Sequence, residues 1–429
     1  LDSSAALQKA QKTKQTMNLK NLRARFENTP VSLAAGRAAG VVAPQLQVFA
    51  NMRPRRASPA IPPRSQSRSR LFSKHALRMR GCLAAGCRSA MIAGVFLFAI
   101  ASPAQPEDSN SYKVIKSVRV GGEGGYDYLS ADVEARRLYI PRSGSAGRLT
   151  VWDLDTLALV GEIPGVASGG AVADSKCGHG FSTTKPVTMW DAKTLKPIKT
   201  IPVDSRPDGI LFDSYKERVW VFSHGAPQAT IIDAVEGAVV GSIDLGGAAE
   251  QAVTDGHGKV YVNLTDKSAI AVIDADRLAV TARYDLSGRA SNAGGLALDA
   301  KNHILFSYLH RPSSMVVIVN ADTGKIITTL PTGEGVDTAG FDPTTMEAFS
   351  AQGDGTLTIV KERSPTDFVV EQNVKTIPGG KTLAMDTKLH HAIVIAAEFG
   401  PAPSPPPSGG RGGRRPMIPD SFTILMIGK

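Results

Sequence analysis

The chain has 429 residues, 42% of them hydrophobic and 21% charged, with a formal net charge of +10. That charge is unevenly spread: residues 1–104 hold 17 Lys or Arg against Asp2 and Glu27, which leaves 32 basic and 37 acidic residues in 105–429. Because the basic excess sits wholly in the leader, the remainder has no surplus of cations to neutralise phosphates, and nucleic acid is excluded as the expected partner.

Residues 1–78 lack periodic apolar patterning and contain runs such as Arg53-Pro-Arg-Arg56 and Arg64-Ser-Gln-Ser-Arg-Ser-Arg70, so they read as a disordered basic leader. They are expected to be upstream sequence, with Met79 the true start; a long targeting extension is the alternative. Residues 79–104 read as a signal peptide. Basic Arg80 and Arg88 precede the apolar run Met91-Ile-Ala-Gly-Val-Phe-Leu-Phe-Ala-Ile-Ala101, and Ser102-Pro-Ala104 supplies small residues for cleavage. The run is too short to span a bilayer, so the mature protein, from Gln105, is expected to be a periplasmic or secreted monomer with no membrane span. Cys82 and Cys87 fall within the signal, and Cys177 is then alone, which rules out an intrachain disulfide in 105–429.

Beyond the signal, Tyr112–Val120 is strand-like, and then a repeat begins. Asp132, Asp174, Asp213, Asp255, Asp299, Asp342 and Asp386 recur at intervals of 42, 39, 42, 44, 43 and 44 residues. Each ends a short apolar run and is followed by a β-branched or aromatic one. A period of this length without helical segments predicts an all-β fold, a seven-bladed β-propeller. In the fourth unit the strands are read as Gln251–Thr254, Lys259–Asn263, Ala269–Asp274 and Ala279–Leu286, with Gly, Asp and Asn at the breaks. Third strands end in Trp-Asp153, Trp-Asp191, Ile-Asp233, Ile-Asp274 and Val-Asn320, a turn signal that Lys361 interrupts. The last unit offers only Thr382–Asp386, Ala392–Ala396 and Phe422–Ile427, so Tyr112–Val120 is expected to complete blade seven as its outer strand and leave no open edge.

Val260-Tyr-Val-Asn263, the apolar-Asp endings of the third strands and Thr323-Gly-Lys-Ile-Ile-Thr-Thr-Leu-Pro-Thr-Gly333 resemble the repeat of YVTN-type β-propeller proteins, the YncE-like group of exported bacterial propellers. The resemblance covers roughly Tyr112 to Lys429. It implies a binding or scaffold protein, with more distant propeller relatives acting as lactonases or carrying quinone or haem.

Motifs for covalent haem, zinc-protease, phosphate-loop and nucleophile-elbow chemistry are missing, and no cofactor is identified. Gly121-Gly-Glu-Gly-Gly125 leads into a strand rather than a helix and reads as a connection. His390-His391 is the only histidine pair; on a regular strand adjacent side chains point to opposite faces and cannot share a metal.

Propeller topology points to one face. The connections into the innermost strands and those between second and third strands open there, around the mouth of the central channel. The former contribute Tyr126 and Asp127, Arg206 with Asp208, Glu250 with Gln251, Asn292, Asp337 and Lys381; the latter contribute Arg142, His224, Lys267, His310 and Arg311. Asp127, Asp208, Glu250 and Asp337 come from four blades at equivalent places, an arrangement suited to a divalent cation or a cationic ligand. The plainer alternative is that they cap turns and meet solvent. Residues 399–419 form a Pro/Gly/Arg-rich insertion between the second and third strands of blade seven, with Phe399 and Met417-Ile418 placed to pin its ends. Two functions follow: a non-catalytic exported binding or scaffold propeller whose partner is a small molecule or a protein, or a lactonase-type hydrolase in which a mouth carboxylate, His224 or His310 activates water beside a divalent cation.

Overall fold

A computed structural model of the protein describes residues 110–166, 168–401 and 415–429. The predicted leader and signal peptide lie outside the described residues, as do residues 402–414 of the insertion. Among the described residues, 28 strands form seven four-stranded antiparallel sheets, the seven blades expected from the aspartate repeat. In blades one to six the strands follow chain order from the channel outward. Blade seven runs Thr382–Asp386, His391–Ala396, Thr423–Gly428 and then Lys113–Arg119, so the N-terminal strand is its outer strand as expected. The register of this closing pair runs from Lys113 opposite Gly428 to Arg119 opposite Thr423.

The boundaries differ from the reading in small ways, each with a local cause. Tyr112 precedes the closing strand and anchors it instead: its hydroxyl donates to Glu347 at 2.6 Å and its ring meets Phe349 edge-on. The inner strand of blade four is Ala249–Thr254, longer than expected, because a β-bulge between Ala249 and Ala252 interrupts the alternation that marks a strand in sequence. His390 is not on a strand. It occupies a turn at φ 58°, and only His391 begins one. The insertion's ends are joined by an antiparallel bridge between Phe399 and Met417, with Gly400 N–H donating to Pro416 at 2.8 Å.

Burial explains the sequence pattern of each strand position. A second or third strand is covered on both faces by neighbouring blades, so it reads as a continuous apolar run, as in Arg218–Phe222 and Ala229–Asp233. Outer strands such as Ala279–Asp285 alternate exposed and covered residues. The core is accordingly divided into seven layers, one between each pair of adjacent blades. The layer between blades seven and one holds Leu138, Ile140, Ile393, Ile395, Phe422 and Ile424 and closes the ring.

The repeat aspartates mark the turns between inner and second strands. Each accepts a backbone N–H from two or three residues further on, from Ala135 to Asp132 through Lys388 to Asp386. In six blades the fourth residue past the aspartate is left-handed: Arg136, Gly178, Glu217, His303, Met346 and His390. For a side chain bearing Cβ that conformation costs about 1–2 kcal/mol, and a hydrogen bond to a charged acceptor contributes about 1.5–3 kcal/mol, so the carboxylate offsets the strained turn. The same carboxylates join blades. Ser175 reaches Asp132 at 3.4 Å, Thr254 reaches Asp213 at 2.8 Å, His390 reaches Asp342 at 2.8 Å, and Arg136 binds both oxygens of Asp386 at 2.8 and 2.6 Å.

Asp386 is fully buried, so Arg136 is its counter-ion and the polar clasp between the first and last blades. Changing Arg136 to Met should lower the unfolding free energy by about 3 kcal/mol because it leaves a buried unpaired carboxylate. Adding Asp386→Asn should recover part of that loss, as read from urea unfolding.

Between blades five and six the partner of the repeat aspartate is another acid. Glu362 is buried beside Asp299; burial first and the Asp299 charge after it push the Glu362 carboxyl up to about 7, against the Asn302 amide that donates to it at 2.8 Å. A carboxyl raised in the folded state stays protonated there while the unfolded chain ionises near its ordinary value of 4.5, so stability is full below pH 4.5 and falls as pH rises to about 7. Glu362→Gln should flatten that decline, and melting temperatures measured from pH 4.5 to 8 would show the two proteins diverging across this window.

Candidate ligand-binding site

Counting back from each repeat aspartate locates the channel mouth. Five residues before it stand Asp127, Gly169, Asp208, Glu250, Gly294, Asp337 and Lys381, one per blade. Four carboxylates and one ammonium therefore share a ring. Bulges in the inner strands of blades four and six interrupt pairing at Glu250 and Asp337 and so free them from the regular pleat. Asp208 is held by its own N–H, which donates to Phe222 O at 2.8 Å and extends the hairpin of blade three. In the next loop of that blade, Ser223 Oγ donates to Gly225 O at 2.5 Å and closes a tight turn beneath His224.

These placements bring three predicted residues into direct contact. His224 Nε2 lies 3.2 Å from Glu250 Oε1 and 3.4 Å from Asp208 Oδ2. The other Glu250 oxygen accepts the Tyr128 hydroxyl at 3.0 Å. Asp208, His224 and Glu250 each offer one ligand atom, all within 4.8 Å of one another, and are the residues best placed to hold a cation. Asp337 pairs with Lys381, which also feels Asp127; burial pulls the Lys381 ammonium down, yet these carboxylates outweigh it and hold its pKa above the ordinary value.

Burial and neighbouring charges shift several groups of the ring. Burial pushes the Asp127 carboxyl up to about 7, with Lys381 opposing and Asp208, Asp337 and Glu250 adding to the rise. Asp208 is raised by burial and by Glu250 and Asp337, against His224 and Arg206. The His224 imidazole is held above its usual value by its hydrogen bond to Glu250, despite some burial, and by the charges of Glu250, Asp208 and Asp127. Lys381 and His224 offset part of the repulsion among these carboxylates.

Other predicted residues have structural duties instead. Tyr126 accepts Ala397 N–H at 3.0 Å, donates to Gly379 O at 3.2 Å and packs its ring on Phe422, tying blade one to blade seven. Arg142 is 1% exposed and cannot meet a ligand. Its guanidinium lies 3.7 Å over the Phe422 ring and donates to the carbonyls of Gly121, Gly122 and Gly124, so it organises the glycine-rich connection; burial pulls it down to about 10, still a cation at neutral pH. Asn292 braces blades four and five by accepting the Thr265 hydroxyl at 3.1 Å. His310 does reach the ring, at blade five: a Cβ on Gly294 would come within 2.8 Å of its Nε2, and burial lowers its pKa against the charges of Asp337 and Glu250. Arg311 is exposed at the end of the same strand, opposite Ser291. Lys267 pairs with Asp266 at 3.1 Å.

Two residues one place further in were not anticipated in their roles. The positions four before the repeat aspartates are Tyr128, Gly170, Gly209, Gln251, Gly295, Thr338 and Thr382. Tyr128 passes over Gly170 and Gly209 to reach Glu250 of blade four. Gln251 crosses Gly295: its Oε1 accepts Leu296 N–H and Ala339 N–H, each at 2.8 Å, while its Nε2 donates to Ala339 O at 2.8 Å. Thr338 then bonds Leu383 of blade seven at 2.6 Å. The sequence signal is the alternation of large polar residues with glycines at one offset, but only closure of the ring shows who spans whom. Below lies a cavity of about 190 Å³ lined by Tyr128, Val172, Ile210, Leu211, Glu250 and Leu383, a polar rim over an apolar wall.

No family model matches the chain, and no curated protein matches it in sequence. Solved structures similar to it include the WD40 repeats of RRP9, with TM-score 0.58 and 10% identity over 74% of this chain and 97% of that one. A chain of a mitotic checkpoint complex matches with TM-score 0.57 and 11% identity over 71% and 96%, and U3-55K with 0.58 and 10% over 73% and 99%. At such identities the likeness establishes the propeller fold and nothing of the ligand. No helix among the described residues is long and apolar enough to cross a membrane.

Gln251→Ala removes the partner of three backbone groups at once. The expected cost is about 2–3 kcal/mol, with faster hydrogen exchange at the Leu296 and Ala339 amides than at other inner-strand amides.

Proposed function

We propose that the chain is an exported, non-catalytic binding propeller of the YVTN-type group that receives a positively charged ligand group at its channel mouth. The observation that carries this reading is the ring of Asp127, Asp208, Glu250 and Asp337 against the single ammonium of Lys381 and the imidazole of His224. Low-dielectric walls beneath a ring of one sign focus its field and favour a cation there. Export is supported by the apolar run Met91–Ala101 and its small-residue cleavage signal. The partner is a small molecule or a protein that presents such a group.

One observation favours the lactonase-type alternative. Asp127, at about 7, lies in the range where a general base works at neutral pH. The pairing of Asp337 with Lys381 and of Asp208 and Glu250 with His224 suits holding charge over moving protons, so binding is the reading adopted.

A thermal-shift panel of alkylammonium ions, carboxylates and lactones tests both. Alkylammonium ions should raise the melting temperature, Asp127→Asn and Asp337→Asn should reduce that rise, and exported protein should begin at Gln105. A rise with carboxylates alone would overturn the charge reading, and lactone turnover abolished by Asp127→Asn would establish the hydrolase.

A further inference from the structure

We propose that Asp208, His224 and Glu250 form a site for one divalent transition-metal ion, with Zn²⁺ the best match. The proposal rests on the reading of the mouth as a cation site and names the ion and its ligands.

The donor set comes from three separate segments, the connection into the inner strand of blade three, the next loop of that blade and the bulge of blade four. A tetrahedral ion with bonds of about 2.0–2.1 Å to nitrogen and oxygen has ligand-to-ligand edges of about 3.3–3.4 Å. The His224–Glu250 and His224–Asp208 separations, 3.2 and 3.4 Å, match two such edges, and the carboxylate pair lies within 4.8 Å. Hydrogen bonding accounts for the arrangement less well. Two carboxylates converge on Nε2, which carries at most one proton, and a hydrogen bond is directional. A metal ion accepts all three donors at once.

Surrounding groups agree with this assignment. Tyr128 donates to Glu250 Oε2 at 3.0 Å and leaves Oε1 turned to His224, the support that metal-bound carboxylates commonly have behind them. Of the three donors, Glu250 alone also lines the 190 Å³ cavity. His224 is half-exposed, which gives an ion a path from solvent. An imidazole with two carboxylates selects Zn²⁺, Co²⁺ or Mn²⁺ over Ca²⁺ and Mg²⁺, which prefer all-oxygen shells.

The test is calorimetric titration of Zn²⁺ into the metal-free full chain carrying Cys82→Ser, Cys87→Ser and Cys177→Ser, which removes competing thiolates. One saturable site is expected, weakened at least about tenfold by His224→Ala and by Asp208→Asn, unaffected by changing the exposed His257 to Ala, and not displaced by excess Ca²⁺. Co²⁺ should give the visible spectrum of a four-coordinate ion, lost in His224→Ala. No saturable binding, or binding undiminished by His224→Ala, would overturn the metal site. If alkylammonium ions still raise the melting temperature in that case, the wider reading of the mouth survives; if they also fail, both fall.

Discussion

Seven aspartates, each ending an inner strand or standing just past it, hold the turns on which the ring is built. Each caps backbone N–H groups in its turn, and the carboxylates of Asp132, Asp213, Asp342 and Asp386 also bond a side chain of the following blade. A buried carboxylate is costly unless such partners surround it. That cost makes the contact specific: it ties the strained turn of one blade to the next, and Arg136 on Asp386 completes the circle where the chain ends meet.

The distance from these aspartates to the opposite face is set by the length of the inner strand. Five residues back, every blade delivers one residue to the mouth, and four back, every blade delivers one to the layer beneath. The upper ring concentrates like charge, which opposes folding. The lower ring compensates with uncharged reach: Tyr128 across two glycines, Gln251 across one to a third blade, Thr338 to a fourth. Glycines at Gly169 and Gly294 admit their neighbours, since a Cβ on Gly169 would stand 3.1 Å from Asp208 Oδ1. The rim charges and the bonds that span the channel therefore lie in adjacent layers of one repeat, and the Tyr128 hydroxyl on Glu250 links the two.

The mouth also shows how a ring of carboxylates can be part-neutralised by the protein itself. Lys381 occupies the seventh place of the ring and neutralises Asp337, leaving the blade-three and blade-four side, where Asp208 and Glu250 share His224, as the more open half. The uneven partition gives a nearly symmetric scaffold a direction, with different chemistry on its two sides.

Sequence by itself determined the number of blades, the strand order within them, the closing strand and the ring of residues from which a site could be drawn, because periodic spacing and turn chemistry are local properties written into each repeat. It placed Asp127, Asp208, Glu250, Asp337 and His224 on one face, where the structure also brings them near one another, and it placed Arg142 and Tyr126 there too. Only the tertiary structure decided that Arg142 is buried over Phe422, that Tyr126 ties two blades, that bulges present Glu250 and Asp337, and that Gln251 crosses the channel. The physical reason is that a side chain's partners across a closed ring lie 88 residues away for Gln251 and 271 for Tyr126. Burial, pairing and the sign of a pKa shift follow from those distant neighbours and not from the repeat that carries the residue.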